Sequence, residues 1–371
     1  MGKSYDVAIA GGGIVGAACA AECAAAGLSV AVVEGGVVGG GATAAGMGHL
    51  VVMDDSPAQM ALTKYSCELW MAMRPKLPAD VEYLACGTLW VAADEEEMAE
   101  VHRKQRLYDD ARVRAEVIDA QALAEAEPHL RPGLAGALFV RDDATIYPPC
   151  GAKFLIGEAE KKGAVLVRDR VTKVSGAGIE LRSGASLSAG ITVNALGAWA
   201  ADLTPGIEVR RRKGHLLITD RYPGLVRHCL VELGYLKSAH STTSDSVAFN
   251  AQPRKTGQVL LGSSRQFGAE ESAVEAAMLS RMLRRCEQYM PGLKDRTGIR
   301  AWTGFRAATP DKLPLIGPTA GDARLYLATG HEGLGITTSL ATGRLVADMI
   351  VGRQSEIDRA AYLPGRALGG H

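Results

Sequence analysis

A glycine motif near the start of the chain limits the fold more than any other feature of the sequence. Gly11, Gly13 and Gly16 form the pattern Gly-x-Gly-x-x-Gly. The motif follows an apolar run at 5–10, which predicts a buried strand, and it opens an alanine-rich stretch at 14–26 with helical periodicity. A lone match to this pattern is weak evidence, but a place between a predicted strand and a predicted helix makes it specific.

A second apolar run at 28–33, which ends at Glu34, completes the unit. Strand, helix and strand within about 30 residues predict a βαβ unit and a parallel sheet. In such a unit the first glycine makes a tight turn, the second lets the backbone approach a pyrophosphate, and the third permits close packing of helix on strand. The pyrophosphate would meet the helix N-terminus at Ile14 and Val15, and Glu34 would accept hydrogen bonds from an adenosine ribose. The segment therefore predicts a dinucleotide site.

The composition of the chain argues against several function classes. Its 371 residues contain 41 basic and 41 acidic side chains, so the formal net charge is zero, which argues against a nucleic-acid partner. The seven cysteines form no Cys-x-x-Cys pair, which favours a reducing, cytoplasmic location over a disulfide framework. Since no run of about 18 apolar residues occurs and the N-terminus lacks the pattern of a signal peptide, we expect no membrane span. We also expect no metal site.

Changes in composition along the chain predict two domains, each built from discontinuous segments. The fold class is α/β. A Rossmann-like domain is expected to take residues 1–80, 145–209 and 305–371, where glycine-rich loops alternate with strands and helices. A smaller α+β domain with a mainly antiparallel sheet is expected to take residues 81–144 and 210–304, and to bind the substrate.

Four further segments resemble the D-amino-acid oxidase family of FAD enzymes, which includes glycine oxidase and sarcosine oxidase. The segment 41–47 resembles the loop of that family that contacts the flavin. The segment 193–199 resembles its Val-Asn-Ala-Ala-Gly-x-Trp stretch, 302–317 its Gly-x-Arg-Pro-x-Thr-Pro-Asp stretch, and 329–336 its C-terminal flavin loop. With the glycine motif, these segments stand in family order over nearly the whole chain.

The resemblance implies FAD as the cofactor. Some relatives tether flavin to a C-terminal cysteine, but the last cysteine here is Cys286, so we expect non-covalent FAD, with His49 as an alternative tether. The residues expected to bind the cofactor are Gly11, Gly13, Ile14, Val15, Gly16, Glu34, Thr43, Ala44, Ala45, Gly46, Met47, Val171, Asn194, Ala195, Gly197, Trp199, Gly304, Gly330, His331, Gly333, Gly335, Ile336 and Thr337.

Two residues are expected to be catalytic. Arg306 stands where the family has the arginine that clamps the substrate carboxylate, although a structural ion pair is an alternative role. His331 lies in a glycine-rich loop that we expect at a helix N-terminus, facing flavin O2, where it would stabilise negative charge; a turn histidine that bonds to the backbone is the alternative. His49, Tyr235 and His240 are further candidates for the wall of the substrate pocket.

Within the family, the segments 45–55 and 86–91 look most like bacterial D-hydroxyproline dehydrogenases and oxidases. This likeness implies oxidation of a small D-amino or cyclic imino acid, best D-hydroxyproline or D-proline, by hydride transfer from Cα to flavin N5, giving an imine or pyrroline. A glycine or sarcosine oxidase-like activity and a flavin-carrying electron-transfer subunit of a larger dehydrogenase are the alternatives. The expected partners are a carboxylate substrate and an acceptor, either O2 or a respiratory or subunit acceptor, and a homo- or hetero-oligomer is left open.

Two basic runs are expected to face solvent. The first is the run of three arginines and a lysine at 210–213. The second is a stripe along a predicted helix at 273–290, formed by Arg281, Arg284 and Arg285. A docking patch for a partner subunit is an alternative for the first run.

Overall fold

The computed structural model describes residues 4–234 and 245–366. Over these residues the strands are β1 (Ser4–Ala10), β2 (Val30–Val33), β3 (His49–Leu50), β4 (Thr88–Ala92), β5 (Ala115–Asp119), β6 (Gly136–Val140), β7 (Ala144–Thr145), β8 (Val165–Val167), β9 (Val171–Ser175), β10 (Gly178–Leu181), β11 (Ser186–Asn194), β12 (Arg210–Thr219), β13 (Cys229–Glu232), β14 (Ser246–Pro253), β15 (Val259–Arg265), β16 (Gly298–Ala308), β17 (Leu315–Pro318) and β18 (Leu325–Thr329). The helices are α1 (Ile14–Ala25), α2 (Ala42–Ala45), α3 (Pro57–Met73), α4 (Glu95–Asp110), α5 (Ala120–Ala126), α6 (Pro148–Glu160), α7 (Ala200–Leu203), α8 (Ala276–Tyr289) and α9 (Ser339–Val351).

The first sheet has a parallel centre, with the order β17-β18-β11-β1-β2-β8. β1 pairs in parallel with both β2 and β11. The last four residues of β1 and all of β2 are buried, as strands covered on both faces must be. Helices α1, α6 and α9 cover one face, and the β9–β10 hairpin packs against the other. This is the Rossmann-like architecture predicted from the glycine motif, and the prediction is confirmed.

The second sheet is mainly antiparallel, as predicted. Its order is β16-β12-β15-β14-β13-β4-β6-β5, and β13 with β4 is the parallel pair within it. One face packs against α8 and α5 in a large apolar cluster. The opposite face, at β16 to β4, turns toward the first sheet and forms one wall of the cavity described below.

Some predicted boundaries differ from the structure. The strand predicted at 28–33 begins at Val30, because Gly27 has a φ of +86° and the backbone N–H of Ser29 donates to the Asp6 carboxylate at 2.8 Å instead of to a neighbouring strand. The predicted domain boundary at 304/305 falls inside β16, which pairs with β12 along its whole length. The division into two domains otherwise stays a prediction.

The prediction for the run 210–213 is wrong at two of its four positions. These residues open β12, which lies between β16 and β15, so alternate side chains point to opposite faces of a covered sheet. Arg212 is buried and pairs with Glu332 at 2.7 Å, while Lys213 is buried on the other face and pairs with Glu275 at 2.8 Å.

The predicted solvent-facing stripe on α8 is wrong at its third arginine. Arg281 and Arg284 are exposed, as expected. Arg285 instead forms an ion pair with the buried Glu232 of β13.

The cysteines and the lengths of the helices bear on two of the predictions. All seven cysteines, each within the described ranges, carry free thiols. Within residues 4–234 and 245–366, no helix has both the length and the apolar character needed to cross a bilayer.

Candidate active site

A cavity of about 700 Å³ lies between the two sheets. This volume is in the range of pockets that enclose small molecules and cofactors. One wall consists of the glycine motif and the loops at 41–49, 195–199 and 331–337, all from the side of the parallel sheet. The facing wall consists of side chains from β4 and from β12 to β16.

The glycine motif is built as its spacing predicts. Gly11 has a φ of +104°, and a Cβ there would lie 2.6 Å from the carbonyl oxygen of Ala195. A Cβ on Gly16 would lie 2.0 Å from the carbonyl oxygen of Gly11, so only glycine lets α1 pack this closely on β1. The N-cap of α1 is Gly13, which has no side chain to cap the helix. The start of α1 therefore presents backbone N–H groups and a partial positive charge to an anion in the cavity.

Glu34 is held rigidly at the end of β2. Its Oε2 accepts a hydrogen bond from the backbone N–H of Gly12 at 2.8 Å, and its Oε1 accepts one from the N–H of Gly36 at 2.8 Å. The carboxylate lines the cavity. Because each carboxylate oxygen has a second acceptor site, both oxygens still have capacity for ribose hydroxyls.

The loop at 41–47 joins the two walls. Thr43 accepts a hydrogen bond from the N–H of Ile14 at 3.0 Å, which fixes the loop to the first turn of α1. On the other side, a Cβ on Gly304 would lie 2.3 Å from the Cβ of Ala45, and the Trp302 indole N–H donates to the Ala45 carbonyl at 3.4 Å. The loop is thus seated directly against β16.

Arg306 lies two residues beyond Gly304 on the same strand and lines the cavity. Its Nη1 donates to the carbonyl oxygen of Ser264 at 2.9 Å. Its guanidinium lies over Gly214 of β12, where a Cβ would be 2.4 Å from Nη1 and 2.9 Å from Cζ. The missing side chain at Gly214 therefore makes the space that the guanidinium occupies.

Comparison with known proteins decides the family. The model of the FAD-dependent oxidoreductase family (DAO) matches residues 6–349. The chain belongs to this family. The resemblance predicted from the sequence is confirmed, and so is FAD as the cofactor of the protein.

Individual relatives of this flavoenzyme match over its whole length. Glycine oxidase from Geobacillus kaustophilus is 28% identical over 382 residues, covering 100% of this chain and 99% of the relative. Hydrogen cyanide synthase subunit HcnC from Pseudomonas aeruginosa is 28% identical over 424 residues, covering 99% and 97%. The crystal structure of glycine oxidase from Geobacillus kaustophilus superposes with a TM-score of 0.87 at 27% identity, covering 99% of this chain and 100% of the other.

The residues around the cavity fit FAD. Gly13 and the uncapped start of α1 suit the pyrophosphate, and the fixed Glu34 suits the ribose. Most of the residues that the sequence predicts for the cofactor line the cavity: Gly11, Gly13, Ile14, Val15, Glu34, Thr43, Ala45, Gly46, Met47, Val171, Ala195, Gly197, Trp199, Gly304, His331, Gly333, Gly335, Ile336 and Thr337. Their contacts with FAD stay a prediction.

Four residues predicted to bind the cofactor are not among the residues that line the cavity. Gly16 and Gly330 permit close packing, since a Cβ on Gly330 would lie 2.6 Å from the Thr309 side chain. Asn194 is hydrogen-bonded inside the protein: its Nδ2 donates to the Ala200 carbonyl and to Thr204, and its Oδ1 accepts from the Leu196 N–H. Ala44 is exposed on the outer side of the loop. Contacts of these four residues with FAD stay a prediction.

His331 lines the cavity but differs from its predicted setting. Helix α9 begins only at Ser339, so His331 is not at a helix N-terminus. Its ring is buried, its Nε2 lies 2.9 Å from the Thr342 hydroxyl, and burial lowers its pKa to about 3. A neutral imidazole can offer a hydrogen bond but no positive charge. A catalytic role for His331 stays a prediction, limited to that of a neutral hydrogen-bonding group.

Of His49, Tyr235 and His240, which are predicted to line the substrate pocket, the structure describes His49. Its Nε2 lies 2.8 Å from the Thr88 hydroxyl, its ring lines the cavity, and burial lowers its pKa to about 3. Tyr235 and His240 lie outside the described residues.

The two buried histidines predict how stability depends on pH. The native-state pKa of each ring, about 3, lies below the ordinary histidine value of 6.5, so the unfolded chain binds protons that the native state does not. Each histidine should therefore lower the free energy of unfolding by roughly 1.4 kcal/mol per pH unit as the pH drops from about 6.5 toward 3, while Asp143, whose pKa burial raises to about 7, contributes the opposite slope above pH 3.8. Urea unfolding at a series of pH values measures this slope.

A variant isolates the contribution of one ring to that slope. His331→Gln keeps a group that can bond to Thr342 but removes the titration. The unfolding free energy of this variant should fall less steeply over the same pH range, because the slope loses the contribution of one histidine. An unchanged slope in this variant would contradict the assignment.

The geometry at Gly214 makes a second prediction. In Gly214→Ala the new Cβ would collide with the guanidinium, so Arg306 must move. We expect KM for a carboxylate substrate to rise at least tenfold, since positioned charged hydrogen bonds contribute about 1.5–3 kcal/mol. FAD content should stay normal, and an amine substrate without a carboxylate serves as the control. An equal rise in KM for both substrates would show a general distortion instead.

Several cavity residues carry no motif and were not found from the sequence. They share one feature, a place at inward-facing positions of the antiparallel sheet, where every second residue reaches the cavity. They include Trp90, Arg212, Leu216, Val231, Asn250, Gln252, Ser263 and Arg265. Only the pairing of the strands in the structure shows which residues of each strand face the cavity.

Proposed function

We propose that the protein oxidises the CH–NH bond of a small amino or imino acid, with D-hydroxyproline or D-proline as the preferred substrate. The observation that carries the proposal is the guanidinium of Arg306 in the cavity that the FAD loops form. It is half-buried, positioned by the Ser264 carbonyl and accommodated by Gly214. A planar guanidinium matches a carboxylate in geometry and charge.

The cavity walls would prepare such a substrate for oxidation. Arg306 would fix the carboxylate, which limits the poses of the α-carbon. Val51, Met53, Leu216 and Val231 supply apolar surface, which disfavours a charged ammonium and keeps water away. FAD supplies the two-electron acceptor for the reaction. A substrate bound as the neutral amine needs no protein base, and its imine product is hydrolysed by water afterwards.

Two relatives each support an alternative function for the protein. The similarity to glycine oxidase favours oxidation of a small open-chain amine such as glycine or sarcosine. The similarity to HcnC, named as a subunit of hydrogen cyanide synthase, favours a flavin-carrying subunit that works with partner chains. The acceptor, O2 or another oxidant, and a cytoplasmic location are parts of the proposal; the free thiols of the cysteines fit a reducing compartment.

Anaerobic flavin reduction tests the proposal. The purified chain, loaded with FAD, is mixed without oxygen with cis-4-hydroxy-D-proline, D-proline, L-proline, glycine or sarcosine. We expect the first two to bleach the flavin fastest. Bleaching by glycine or sarcosine alone would favour the first alternative. A flavin that dithionite reduces, but no amino or imino acid does, would overturn the proposal. Admitting air, or a quinone, then identifies the acceptor.

A further inference from the structure

Polar side chains without partners lie together on the sheet wall of the cavity. Trp90, Val231 and Asn250 stand side by side on β4, β13 and β14, in direct register. Gln252 is two residues further along β14, on the same face. All four line the cavity. Neighbouring strands are about 4.8 Å apart, so these side chains can reach a common ligand.

Three of these four residues have unmet hydrogen-bonding capacity. The Oε1 and Nε2 atoms of Gln252, the Oδ1 of Asn250 and the Nε1 of Trp90 are all buried without a hydrogen-bond partner among the described residues. Gln252 is 1% exposed and Trp90 is 2% exposed. Buried polar groups are normally satisfied, because leaving one unpaired costs about 1–3 kcal/mol. Their common position on the cavity wall indicates that a ligand pairs with them.

The chemistry of these atoms limits the group they would bind. An indole N–H only donates, a carbonyl oxygen only accepts, and the glutamine amide does both. A carboxylate, which only accepts, would leave the two carbonyl oxygens unpaired, and an ammonium, which only donates, would leave the two N–H groups unpaired. A hydroxyl, which donates one hydrogen bond and accepts others, fits the set.

The surroundings of these groups fit the same ligand. Val231 in the row and Met53 on the facing loop are buried and apolar, which suits the hydrocarbon part of a small ring. The indole of Trp90 packs against the Lys104 ammonium, which lies 4.4 Å from the ring centre. The Arg306 guanidinium bonds to Ser264 of β15, the strand beside β14, so the carboxylate clamp and this cluster are neighbours on one sheet wall.

We propose that Gln252, Asn250 and Trp90 form a subsite that recognises a neutral hydroxyl on the substrate, apart from the carboxylate held by Arg306. The inference rests on the proposed function, whose substrate carries both groups. It names the residues that distinguish a hydroxylated cyclic imino acid from its unsubstituted parent. One lost pairing should change affinity by about 5- to 150-fold, as 1.4 kcal/mol corresponds to a factor of ten.

Equilibrium binding of two unreactive analogues tests the subsite. Tetrahydrofuran-2-carboxylate and its 4-hydroxy derivative carry a ring oxygen in place of the amine, so neither yields an imine. Their dissociation constants are measured with the FAD-loaded enzyme from the change in the flavin absorbance. We expect the hydroxylated analogue to bind about 10-fold or more tightly than its parent.

Two variants and a control identify the residues responsible. Gln252→Met and Asn250→Leu keep the side-chain size and remove the polar atoms, so each should abolish most of the preference while leaving binding of the parent nearly unchanged. Gln121→Leu makes the same kind of change at an exposed position of α5 and should behave as wild type.

Four results would overturn the subsite. The first three are no preference of the wild type for the hydroxylated analogue, an unchanged preference in both variants, and no binding of either analogue. The fourth is loss of FAD from Gln252→Met, which would assign the amide to the cofactor. Failure of the proposed function gives a different result. In that case no amino or imino acid bleaches the flavin, even where the hydroxylated analogue binds more tightly than its parent.

Discussion

Arg306→Ala raises KM for the carboxylate substrate and lowers kcat/KM by about 10²- to 10³-fold, while the protein keeps its FAD. The expected size follows from the loss of one partner of a desolvated charge pair, which costs about 2–5 kcal/mol. FAD is retained because the glycine motif and Glu34, which suit the dinucleotide, lie on the opposite wall. Steady-state kinetics and the absorbance spectrum of the purified variant measure both effects.

Two comparisons control for the loss of the arginine. Arg306→Lys keeps the charge but not the planar fork, so it should recover only part of the activity. An amine substrate without a carboxylate should react with the wild type and with Arg306→Ala at similar rates. A variant with a normal KM for the carboxylate substrate would disprove the clamp.

Gly16→Ala is expected to lose most of its FAD and to unfold at a markedly lower temperature. The new methyl group would stand 2.0 Å from the Gly11 carbonyl oxygen and 3.3 Å from the Ala195 Cβ, and the first of these is backbone that cannot rotate away. Either α1 separates from β1 or the turn at Gly11 is deformed, and both changes destroy the surface that faces the pyrophosphate. Overpacking of this kind costs about 3 kcal/mol or more.

Gly157→Ala is the matched control. It introduces the same methyl group within helix α6, where nothing lies within 4 Å of the new Cβ. An alanine inside a helix is favoured over glycine by about 1 kcal/mol, so this variant should be at least as stable as wild type. The comparison uses thermal unfolding and the flavin content after purification. If Gly16→Ala retains both, the close packing is not essential.

The cofactor side of the cavity could be predicted from the sequence because its determinants are local. The spacing of Gly11, Gly13 and Gly16 and the position of Glu34 reflect one continuous βαβ unit, and the structure places them as the pattern requires. The family resemblance then located Arg306.

The substrate side could not be predicted in this way, because it depends on contacts between distant strands. Arg212 stands in a basic run that reads as solvent-facing, yet β12 is covered and the residue pairs with Glu332, which follows it by more than a hundred positions. Gln252 and Asn250 are ordinary polar residues in a strand, and only the register with β13 and β15 brings them to the cavity. The glycine-rich loop around His331 predicts a helix start there, whereas helix α9 begins eight residues later, at Ser339.

The seating of the loop at 41–47 against β16 has a consequence for how substrate preference can change. Ala45 contacts Gly304, and Arg306 is the next inward residue, so a shift in that strand disturbs cofactor and carboxylate together. β14 contributes Asn250 and Gln252 without touching this junction. Relatives that diverge in the acid they accept should accordingly differ along β14 and leave β16 nearly untouched, so new specificities could arise without rebuilding the redox centre.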